Sequence, residues 1–64
     1  MTLRDLVLKM YADEKLVLTG FDKGEVMETT PNEIINEYEI LWCFDVVHIW
    51  FSRNLYNAIV IEIE

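Results

Sequence analysis

The sequence predicts a small α+β domain of αββαββ order, with an antiparallel four-stranded sheet and two helices on one face. Three observations point there. Two stretches, beginning at Thr2 and Thr30, carry helix-start chemistry followed by apolar residues at helical spacing. Each is followed by a pair of runs in which apolar residues alternate, as they do in strands. Turn-forming residues separate the runs within each pair. A length of 64 residues leaves room for one core, so residues 1–64 form a single domain.

In the first helix Thr2 is the cap, with Asp5 at capping-box spacing. Leu3, Leu6, Val7, Met10 and Tyr11 share one stripe, and Arg4, Asp5 and Lys9 lie off it. In "EKLVLTGF" the period changes to that of a strand. Asp22 and Gly24 then supply a turn, and "EVMET" returns as a weaker strand at a sheet edge, where Glu25 and Glu28 discourage sticking.

The second helix has Thr30 as cap, Pro31 at its first position and Glu33 completing a box. Ile34, Ile35, Tyr38, Leu41 and Trp42 form its stripe, which predicts a helix over about 31–43. A rival reading starts a strand near Ile40, because "ILWCF" is also strand-like. Strand 3 follows over about 46–52, then the polar loop "RNLYN", then strand 4 over about 58–64. In strand 3 the alternation puts Val47, Ile49 and Phe51 on the inner face with Ile59, Ile61 and Ile63 of strand 4. Val46, His48, Trp50 and Ser52 fall on the other face with Val60, joined by Val17 or Phe21.

Composition narrows the function. Twelve Asp and Glu against five Lys and Arg give a net charge of −7, which repels nucleic acid and anionic membranes. No window reads as a membrane span, and "MTLRDLVLKMYADEK" carries Arg4, Asp5 and Lys9 where a signal peptide needs an unbroken apolar core. The one cysteine, Cys43, allows no internal disulfide and fits a reducing cytoplasm. A domain this small, 53% hydrophobic and without a staple, gains most from a partner subunit. The expectation is therefore a homo-oligomer, a dimer, whose interface uses Val46, His48, Trp50, Tyr56 and Val60.

The chemistry-bearing residues point away from an enzyme. Cys43, Asp45 and His48 are types that bind zinc, but a structural site needs four ligands. The same Cys and His lack the pocket and the orienting third group that nucleophilic catalysis requires. Trp50, Phe51 and Tyr56 could stack on bases, yet only Arg53 supplies a cation nearby. No catalytic, cofactor or metal residue is expected. Asp22, Glu25, Glu28, Glu33, Glu37 and Glu39 crowd the central third of the chain. Such carboxylates keep an apolar protein soluble. Alternatively they imitate nucleic-acid phosphates and occupy the groove of a basic nucleic-acid-handling protein, which they would inhibit.

The stretches "MTLRDLVLKM", "TTPNEIINEYEIL" and "AIVIEIE" together resemble the small uncharacterised proteins of phages and prophages of Gram-positive bacteria. That resemblance covers most of the chain and transfers no site residue. It implies an accessory protein that binds a host or phage component. Small acidic inhibitors, anti-CRISPR proteins among them, occur in the same elements. The aromatic-rich "LWCFDVVHIWF" departs from the more polar strand usual in that group. The sequence thus leads to a non-enzymatic cytoplasmic protein acting through protein–protein contacts, with the acidic mimic as its alternative.

Overall fold

A computed structural model describes residues 1–20 and 26–64. The turn expected at Asp22 and Gly24, together with Phe21 and Glu25, lies outside the described residues.

Helix α1 is Leu3–Val7. Its capping box is complete: the Asp5 N–H donates to the Thr2 hydroxyl at 3.2 Å, and the Thr2 N–H donates to the Asp5 carboxylate at 3.4 Å. The helix stops a turn before its stripe does. The Lys9 and Met10 N–H groups bond three residues back, to Leu6 and Val7, and this tightening ends the α-helical ladder. Leu3 and Val7 are buried, whereas Tyr11 is exposed.

Helix α2 is Pro31–Glu37, shorter than the spacing predicts. Thr30 caps it by accepting the Glu33 N–H at 3.2 Å, but the Glu33 carboxylate makes no return bond among the described residues. Tyr38 leaves the helical region at φ −120°, ψ 49°, and a 3-10 turn over Glu39–Leu41 takes over. Neither the longer helix nor a strand from Ile40 forms. The apolar period still carries through, because the turn keeps Leu41 buried and brings Trp42 back over α2. There the indole N–H donates to the Ile34 carbonyl at 2.9 Å, a second bond to an oxygen that already accepts the Tyr38 N–H at 3.2 Å.

The strands are β1 (Leu16–Thr19), β2 (Met27–Thr29), β3 (Val46–Ser52) and β4 (Ala58–Ile63), in the order β2-β1-β4-β3. The sheet is mixed, which corrects the all-antiparallel expectation. β1 and β4 run parallel, and only the pairs β1–β2 and β3–β4 are antiparallel. Chain path explains this. The α2 connection returns the chain to the end of the sheet where β2 began, so β3 runs in the same direction as β2. Each hairpin reverses direction once, and β4 therefore comes to lie parallel to β1.

Leu3 and Val7 of α1, Ile34 of α2 and Leu41 of the 3-10 turn join Leu16, Leu18, Ile61 and Ile63 in one buried cluster. Burying each such side chain contributes about 1.5–3 kcal/mol. A smaller cluster of Val17, Ala58 and Val60 lies on the opposite side of the sheet, with Tyr56 packed against it. Asn57, at φ +51°, takes the left-handed conformation that brings the chain from Tyr56 into β4.

Candidate protein-contact surface

β3 is an edge strand, and nearly all of it is open to solvent. Ile49 is 50% exposed, Trp50 46% and Phe51 59%. The inner-face assignment of Val47, Ile49 and Phe51 is thus only half right. Ile49 and Phe51 pair with Ile61 and Ile59 on the helix side, but they are not covered there. The helices close over β1 and β4, at the centre of the sheet, where Leu16, Leu18 and Ile61 are fully buried.

The register of β3 shifts between Val46 and His48, which makes a bulge. Val46 pairs with Ile63 and packs against the helix-side core, while His48 pairs with Glu62. Simple alternation puts Val46 and His48 on one face, and the extra residue Val47 separates them. Of the five residues expected at an interface, Val46 therefore leaves the group. Val60 stays on the open side but is only 2% exposed, held under the strand's own neighbours and Tyr56. Trp50 faces the open side opposite Val60, and His48 flanks it with Nδ1 at 2.9 Å from Glu62 Oε1. Tyr56 is half-buried, its carbonyl accepting from Lys15 Nζ at 3.2 Å.

The backbone of β3 completes the surface. Asp45 and Glu64 exchange both N–H···O bonds, at 3.0 and 2.9 Å, so the even-numbered residues of β4 face β3. The pairs His48–Glu62, Trp50–Val60 and Ser52–Ala58 then bond inward, and the N–H and C=O groups of Ile49 and Phe51 point outward. At the start of the strand this outer edge is taken. The Leu3 N–H donates to the Phe44 carbonyl at 2.8 Å, and the Val46 N–H donates to the Met1 carbonyl at 2.9 Å. Beyond Val46, the edge has no partner among the described residues.

The remaining candidates stay apart. His48 pairs with Glu62, and among the described residues no three His, Cys, Asp or Glu side chains converge as metal ligands. Cys43 is exposed and borders an open depression with Ile40, Phe44 and Glu64. Of the acidic residues, Asp22 and Glu25 lie outside the described residues. Glu28 sits on the β2 edge within 3.7 Å of Lys15. Glu33 and Glu37 are one turn apart on α2, and Glu39 begins the 3-10 turn. Among the described residues no helix is long and apolar enough to cross a membrane. Comparison with family models, with curated proteins and with solved structures returns no match.

The exposure of Ile49 and Phe51 and the open edge between them were not legible in the sequence. Strand order decides which strand is the edge, and the parallel β1–β4 pairing sets that order.

Proposed function

We propose that this protein is a non-enzymatic interaction module that binds another polypeptide along the outer edge of β3. One observation carries the reading. The outward N–H and C=O groups of Ile49 and Phe51 lie between side chains that are half exposed and wholly apolar. An edge of this kind templates a further strand. Natural sheets usually blunt such edges with Lys, Pro or inward charges, and "VVHIWFS" carries none of these; its only such device is the bulge at Val47. The resemblance to small phage and prophage proteins supports an accessory role of this kind. The exposed free thiol of Cys43 supports a reducing, cytoplasmic setting.

The test is capture of proteins from a Gram-positive bacterial lysate, at low and high salt, with the native chain and with Ile49→Pro. The Ile49 N–H points away from β4, so proline there removes an edge donor and leaves the β3–β4 pairing intact. Capture that survives salt but is lost in Ile49→Pro supports the edge. Capture that collapses with salt and ignores Ile49→Pro overturns it in favour of the acidic surface.

A further inference from the structure

We infer that the occupant of the β3 edge is a second copy of this chain, its own β3 running antiparallel, with a two-fold axis through Trp50. The two sheets would then form one continuous sheet. The inference rests on the proposed contact role of β3 and adds to it the partner and the register.

The backbone sets the register. Outward groups occur at Ile49 and Phe51, with Trp50 bonded inward between them. Two antiparallel copies use all of these groups when Ile49 faces the partner's Phe51 and Phe51 faces the partner's Ile49. Trp50 then faces the partner's Trp50 in a non-hydrogen-bonded position, where side chains come closest. Slipping the pairing so that Ile49 faces its own copy would set Phe51 against the partner's Val47, at the bulge. The alternation there is broken.

The length of the edge also matches itself. Met1 and Leu3 hold the edge at Phe44 and Val46, so an incoming strand must stop short of them. With the axis at Trp50, Val47 faces the partner's Arg53, one residue past the end of β3 at Ser52. Position 46 would face the partner's Asn54, which is already in the turn. A second copy therefore runs out of strand where the free edge runs out. A longer strand from another protein would meet Met1.

Charge and area agree with this. The chain carries −7, yet residues 46–53 hold no acid and include Arg53 and His48. Two copies meet without setting carboxylates face to face. The exposed parts of Val47, Ile49, Trp50 and Phe51 amount to roughly 400 Å² per copy, or about 800 Å² for the pair, in the range of weak, transient contacts. A contact of this size fits a weak, reversible dimer.

Sedimentation from ~1 to ~500 µM, a span that covers weak reversible dimers, should show the native chain passing from monomer to dimer. Ile49→Pro should remain a monomer throughout with an unchanged circular dichroism spectrum. An independent reading uses cysteines in a Cys43→Ser background under oxidised glutathione. Trp50→Cys should form a disulfide dimer, because the paired Cα atoms lie about 4.5 Å apart, within disulfide range. Ile49→Cys should cross-link at least ~10-fold more slowly, because diagonal positions are about 7–8 Å apart. Faster cross-linking of Ile49→Cys, or a native monomer at every concentration, overturns the inference. A monomer that still captures protein through an edge sensitive to Ile49→Pro overturns the self-pairing alone. Loss of both removes the contact role as well.

Discussion

Tyr56 is the lid of the smaller core, and its removal should be costly. Its ring packs against Val17, Ala58 and Val60, which are 0%, 3% and 2% exposed on a side of the sheet that, among the described residues, no helix covers. A tyrosine buries 150–250 Å² when fully enclosed, so this half-buried ring removes roughly 100 Å² from water. At about 25 cal/mol per Å² that contributes ~2.5 kcal/mol. Tyr56→Ala also uncovers the two valines, and partial collapse of their neighbours offsets some of that. We expect a net loss of about 2–3 kcal/mol, against a total stability of ~3–10 kcal/mol for a chain this long. The backbone bonds of Tyr56, its N–H to the Ser52 hydroxyl and its carbonyl from Lys15, survive the substitution. The phenol hydroxyl has no hydrogen bond among the described residues, so Tyr56→Phe should stay within ~0.5 kcal/mol of the native chain. Urea unfolding at one fixed protein concentration, followed by tryptophan fluorescence and circular dichroism, measures both. A Tyr56→Ala midpoint indistinguishable from native would refute the lid. So would a Tyr56→Phe loss as large as that of Tyr56→Ala.

Gly20→Ala should destabilise by about 2–4 kcal/mol in the same assay. Gly20 holds φ +105°, and an added Cβ would sit 2.0 Å from the Ile63 carbonyl oxygen, so the join between β1 and β4 must open. Thr30→Ala should cost about 1 kcal/mol by leaving the Glu33 N–H without its cap, with α2 losing protection from hydrogen exchange first. The Thr2 side chain, and after it the Thr2 backbone, hold the Asp5 carboxyl below its ordinary 3.8. A depressed carboxylate pKa stabilises the fold above 3.8, and that contribution is lost as pH falls through the lower folded value. An NMR titration should place the Asp5 midpoint below 3.8, and Thr2→Val should move it upward; an unmoved midpoint would refute the assignment.

Both helix starts were legible in the sequence, because a cap needs only neighbours along the chain. Thr2 with Asp5, and Thr30 with Pro31, sit where local spacing placed them. The helix ends were not. Lys9 and Met10 close a tighter turn, and Tyr38 breaks the α2 ladder before a stripe that continues through Leu41 and Trp42. Apolar spacing reports which side chains face the core, and a 3-10 turn satisfies it as well as an α-helix does. Trp50 and His48 lie on the face that the sequence assigns them, because strand alternation is local. Val46 was misplaced because one bulged residue inverts the parity of everything before it.

The sequence by itself determined the α+β class, the order of the elements, both caps, the bounds of β3 and an apolar surplus that a short chain hides with difficulty. These follow from period, turn chemistry and composition, all readable within a few residues of each position. Only the tertiary structure decided that β1 and β4 lie side by side and parallel. That pairing buries β4 at the centre and leaves β3 at the rim, its outer amides covered by Met1 and Leu3 at one end and open at Ile49 and Phe51. Strand order joins residues more than forty positions apart, and no local pattern encodes it.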